Sequence, residues 1–136
     1  MMDDLVELLH RDNHTLVVAN GEVCTFRGRG ISDLYRLLRE DPGFLKGASV
    51  ADKVVGKGAA ALMILGGVGE LHADLISEPA LALLTTARIR VLYEKKVPQI
   101  RNRARTGCCP VEKLCRDAAT AEECLPLIEE FMNSIK

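Results

Sequence analysis

Apolar residues along this chain change their spacing repeatedly, and each change marks an element. Leu5, Leu8 and Leu9 recur at helical spacing and predict a short amphipathic helix over 3–10. Residues 14–19 are apolar and β-branched, Asn20-Gly21 follows, and 22–26 returns as a strand. That pattern predicts a hairpin closed by a type I′ turn, since both turn residues accept positive φ. Gly28 and Gly30 break the strand. Ser32 or a neighbour then caps a helix through Arg39, with Leu34, Leu37 and Leu38 facing inward. Asp41-Pro42-Gly43 reads as a turn and 47–51 as a short strand.

From Asp52 or Lys53 to about Leu65 the sequence is apolar almost all round, which predicts a buried helix. Gly56, Gly58, Ala59, Ala60 and Ala61 would let it lie close against a sheet, and Gly66-Gly67 ends it. A strand over 70–76 leads to Ser77 as helix cap, with Glu78 and Pro79 in the favoured first positions. Another strand is expected over 89–93, then a basic connector over 95–105 and a helix from Cys109 or Pro110 to Ala119. Thr120 starts the last helix, with Glu123 at the capping-box position and Leu125, Ile128, Phe131 and Met132 as its apolar stripe. Strands alternating with helices after an opening hairpin predict an α/β fold, a three-layer α/β/α sandwich. Its mixed sheet of about five strands is mostly parallel, with the N-terminal β-hairpin as its antiparallel part. The 136 residues make one domain over 1–136, too few for two cores.

Composition narrows the function classes. A net charge of −1 argues against a surface devoted to nucleic acid or membrane, and the absence of Trp removes one base-stacking platform. No apolar run approaches the roughly 20 residues of a membrane span. The opening residues lack a basic segment followed by an apolar one, so a cytoplasmic location is expected. Cys24, Cys108, Cys109, Cys115 and Cys124 are odd in number and partly adjacent, a pattern that suits reduced thiols.

Two segments carry the candidate chemistry. In the first, Lys53 and Lys57 stand four apart, on one face of the expected helix and close to its positive end. A bound anion would turn that unfavourable placement into a favourable one. Alternatively, Asp52 caps the helix and pairs with one lysine while the other reaches solvent. Gly56-Lys57-Gly58 lacks the spacing of a phosphate-binding Walker loop. In the second segment, Thr106-Gly107-Cys108-Cys109-Pro110-Val111-Glu112, Cys109 falls at a helix start, which favours thiolate, and Glu112 lies three residues on. Alternatively, both cysteines are small buried residues and Glu112 complements the helix dipole. The cysteine spacing does not suit structural zinc, and His10, His14 and His72 are scattered, so no metal and no cofactor is expected. The connector's Lys95, Lys96, Arg101, Arg103 and Arg105 suit either a solvated loop or a phosphate clamp.

At Val50-to-Ala61 and at Thr106-Gly107-x-Cys109-Pro110-x-Glu112 the chain resembles a small bacterial domain family of the cytidine deaminase-like superfamily. The resemblance extends to the element order over nearly the whole chain. It implies a deaminase-like fold with two helices beginning side by side at a pocket. Zinc deaminases place H-x-E or C-x-E at the first helix start and P-C-x-x-C at the second. Here those positions read Ala51-Asp52-Lys53 and Cys109-Pro110-Val111-Glu112, which keeps at most one zinc ligand. The expectation is a zinc-less pocket lined by Asp52, Lys53, Cys109 and Glu112, with Lys57, Thr106, Arg101 and Arg103 holding a small anionic or nucleotide-like ligand. The alternative is a metal-independent enzyme in which Cys109 is the nucleophile and Asp52, Lys53 and Glu112 assist. A purely structural or partner-binding domain is a third reading. Oligomeric state is left open.

Overall fold

The computed structural model describes residues 2–28, 31–100 and 110–134. Helix α1 spans Met2–Arg11 and leads to a hairpin of β1 (Leu16–Asn20) and β2 (Glu22–Phe26). Helix α2 (Ser32–Glu40) and a single helical turn, α3 (Pro42–Leu45), precede β3 (Ser49–Val55). Two crossover units follow: α4 (Lys57–Gly66) into β4 (Glu70–Ser77), and α5 (Glu78–Thr85) into β5 (Arg90–Val97). Helices α6 (Pro110–Leu114) and α7 (Ala121–Ser134) complete the described chain.

The strands form one mixed sheet in the order β2-β1-β3-β4-β5. β1 is antiparallel to both β2 and β3, whereas β3, β4 and β5 run parallel. Helices lie on both faces. On one, α1 packs Leu5 and Leu9 onto Val17, Ala19 and Ala51. The other carries the larger core, in which Leu34, Leu62, Met63, Leu84 and Ile128 cover Val18, Val50, Leu71 and Ala73. The expected mixed α/β sheet of five strands with helices on both sides is therefore present, but with two antiparallel pairs, β1–β2 and β1–β3, where the hairpin alone was expected.

Several local signals act as expected. Ser77 Oγ accepts from the Ala80 N–H at 3.1 Å with Pro79 in the first turn, and Gly67 ends α4 at φ +80°. Thr120 Oγ1 accepts from the Glu123 N–H at 3.2 Å, and the Glu123 carboxylate reaches back to the Ala119 N–H. The hairpin closes differently from expectation. Only Gly21 takes positive φ, Asn20 pairs directly with Glu22, and the Asn20 amide donates to the Phe44 and Lys46 carbonyls, both at 2.9 Å. Asn20 thus ties the hairpin to α3 and the residue that follows it rather than forming the turn.

The largest correction concerns residues 52–57. The expected helix start at Asp52 or Lys53 is the second half of β3, and α4 begins at Lys57. β-Branched Val54 and Val55 favour extended backbone, and pairing with β4 through Val55↔Ile76 carries the strand that far. β5 likewise runs on through Lys95 and Lys96, which belong to a strand and not to a connector. Helix α6 is five residues long, shorter than expected.

Candidate functional site

Strand alternation separates Asp52 from Lys53. Asp52 lies in the row Leu16–Asp52–Ala73, between two buried apolar side chains of the larger core. Burial pushes its carboxyl up to about 8, against the opposing effect of the Val54 and Lys53 backbone N–H groups, with the Asp74 and Asp33 carboxylates adding to the rise. The Val54 N–H reaches Asp52 Oδ1 only at 3.4 Å. At neutral pH this side chain is therefore largely a neutral acid. Lys53 is on the opposite face, where its ammonium donates to Asn13 Oδ1 at 3.3 Å. Lys53 and Lys57 consequently share no helix face, because only Lys57 is helical.

Lys57 and Glu112 do come together. The N-cap of α4 is Gly56, which has no side chain to offer the exposed N–H groups of the first turn. Glu112, from α6, supplies the acceptor: its Oε2 takes the Lys57 N–H at 2.7 Å. Gly56 permits that approach, since a Cβ there would overlap Glu112 Oε2. Gly58 similarly leaves room for Val111, so these glycines accommodate α6 rather than the sheet. The Lys57 side chain turns away from the helix start; its ammonium donates to the Arg116 carbonyl at 3.1 Å and to the Ala118 carbonyl. Lys57 thus closes the end of α6 while Glu112 closes the start of α4.

This exchange changes the expected electrostatics. The positive end of α4 already faces a carboxylate, and the Lys57 charge is spent on carbonyls. One group in the exchange has no partner among the described residues. Glu112 Oε1 is buried there without a hydrogen bond, in a residue 5 % exposed. An orphaned buried acceptor costs about 1–3 kcal/mol, so it needs an explanation in function or in bound solvent.

Beneath the exchange lie Cys115 and Cys124, both fully buried free thiols. The neighbouring Cys124 thiol, together with burial, pushes the Cys115 thiol upward, away from thiolate. Cys109, Thr106, Arg101 and Arg103 lie outside the described residues, so of the expected pocket lining at the second segment only Glu112 is described. Among the described residues, no cluster of three or more His, Cys, Asp or Glu is placed to hold a metal ion.

Two polar groupings escaped the sequence reading. Asp74 accepts from His10 Nε2 at 2.6 Å and His72 Nε2 at 3.1 Å on the α1 face. Asp33 accepts from the Gly28 N–H at 2.9 Å, where a side chain on Gly28 would collide with the carboxylate. The i, i+2 spacing of His72 and Asp74 on one strand was an available signal for the first; nothing local announced His10.

A mixed five-strand sheet, two parallel crossovers and a helix start capped by a distant carboxylate define an α/β domain with helices on both faces. Residues 4–132 match the family model described as TM1506, Domain of unknown function (DUF1893), and the chain belongs to that family. It is similar to the crystal structure of a DUF1893 family protein (TM1506) from Thermotoga maritima, with a TM-score of 0.88 and 25% identity. That match covers 95% of this chain and 88% of the other. No curated protein matches the chain. No helix among the described residues is long and apolar enough to cross a membrane.

Proposed function

We propose that this domain binds a small nucleotide-like ligand at the carboxyl ends of its parallel strands, in a deaminase-like arrangement without zinc ligands. The observation that carries the reading is Glu112 Oε1, a buried acceptor at the start of α4 without a partner among the described residues. Ligands of open α/β sheets bind beyond the carboxyl ends of the strands, and α4 starts two residues after β3 ends there. A carboxylate oxygen calls for a donor, so the recognised part of the ligand is an N–H edge such as an amino or amide group of a base. Asp52, protonated at neutral pH, adds a second polar group on β3, the strand that leads into α4. An anionic portion of the ligand would be met by the basic residues of β5 and of the segment after it, Arg101 and Arg103 included, and not by Lys57. This revises the anion-centred expectation toward a ligand with a donor edge and a separate negative charge.

Thermal denaturation in the presence of nucleosides, mononucleotides and inorganic phosphate tests the reading. At least one nucleoside or nucleotide should raise the melting temperature, since a ligand specific for the native state stabilises it by mass action. Glu112→Gln retains an oxygen acceptor for the Lys57 N–H but removes the carboxylate, and the shift should disappear. If no compound in the panel shifts the wild type, or if the shift survives Glu112→Gln unchanged, the site is assigned wrongly.

A further inference from the structure

β5 is the last strand of the sheet, and among the described residues no strand pairs with its outer edge. It is eight residues long and exposed over most of its length, with Leu92 50% and Tyr93 42% exposed at its centre. A long edge strand with apolar residues at its middle is a template for another strand. We propose that it pairs antiparallel with β5 of a second copy of this chain, about a two-fold axis through Leu92, to give a continuous ten-stranded sheet.

Backbone direction limits the possible registers. The Arg90 N–H donates to the Gly69 carbonyl, so in the parallel ladder residues 90, 92, 94 and 96 turn their backbone groups toward β4. Among the described residues, the N–H and C=O groups left without a neighbouring strand belong to 91, 93, 95 and 97. A second β5 must bond through those same positions. Symmetric pairing is then centred on one of a few residues, and the side chains discriminate among them.

Centred on Leu92, the register places Arg90 opposite Glu94 of the second copy, twice by symmetry, on either side of a Leu92–Leu92 contact. These three residues share one sheet face and all are exposed. On the other face Val91 meets Tyr93, an aromatic–β-branched pair of the kind that stabilises sheets. Centring on Tyr93 sets Arg90 against Lys96. Centring on Glu94 sets that carboxylate against itself, and centring on Lys95 does the same for two ammonium groups. Like charges directly opposite are destabilising. Lys95 and Lys96 therefore act as guards against the other registers, and confine the ladder to residues 90–94.

Sedimentation equilibrium of the full chain over a wide concentration range, with thermal melts as a folding control, tests this. Wild type should form a concentration-dependent dimer. Glu94→Arg and Arg90→Glu should each raise the dissociation constant by at least about tenfold, because two attractive pairs become repulsive. The double variant carrying both substitutions exchanges the charges and should restore the dimer. Restoration is the discriminating result, as a merely structural role for either residue would leave the double variant no better than the singles. A wild type that stays monomeric, a dimer indifferent to both single variants, or a double variant that stays dissociated would each overturn the proposal.

Discussion

On the α4 face of the sheet, side chains from six helices seal the core, and the polar groups drawn into it are held by the fold. On the α1 face, one helix covers three buried strand residues, and the polar groups beside them, His10 and Asp74, remain open to water. Both faces contain carboxylates with close partners. The consequences of removing them differ because the surrounding dielectric differs. A partner lost in the interior leaves an uncompensated group, whereas at the surface water replaces it. The lesson is that short distances on the two faces cannot be read as equal contributions.

Lys57→Met should open the widest gap between the faces. It removes the ammonium donor of the Arg116 and Ala118 carbonyls while keeping much of the apolar stem, and should lower unfolding free energy by about 3 kcal/mol. Urea denaturation measures this, and a loss below about 1 kcal/mol would mean that water reaches those carbonyls freely.

Asp52→Asn should act in the opposite direction. The native carboxyl holds its proton up to about pH 8, while the unfolded chain releases it near pH 4. Between those values the unfolded state binds fewer protons, so stability attributable to Asp52 falls as pH rises and levels off above about 8. The substitution removes that loss. It should therefore leave stability nearly unchanged at pH 4 and raise it progressively as the pH climbs to 8. Paired melts across that range decide it, and a gap that does not grow with pH would show that Asp52 is ionised in the fold.

His10→Ala should have the smallest effect. The His10 side chain is 50% exposed, and its bond to Asp74 is open to solvent. A cost of about 0.5 kcal/mol is expected, diminished further by salt. A loss comparable to that of Lys57→Met would erase the distinction between the two faces.

Sequence legibility follows the same division between local and distant causes. Ser77 with Pro79, Thr120 with Glu123, and Gly67 after α4 were legible because each terminal group meets its partner within a few residues. The start of α4 was not. Its acceptor is Glu112, 55 positions away, and the residue before it is a glycine with no capping side chain. Lacking that partner, Asp52 and Lys53 looked like a polar helix start, although Val54-Val55 favoured continued strand. Of the candidate site, Lys57 and Glu112 were singled out as polar residues near helix starts, and in the fold they lie at the starts of α4 and α6. Their roles were not legible, since both depend on α6 being laid across the start of α4.

The carboxylate that caps α4 also orders events during synthesis. β3, α4, β4 and β5 leave the ribosome before Glu112 does, so α4 first exists with the Lys57 N–H unserved by its final partner. The two parallel crossovers can collapse on their apolar faces at that stage. Their junction is completed only when the last fifth of the chain arrives, which makes α6 a late clasp on an early scaffold.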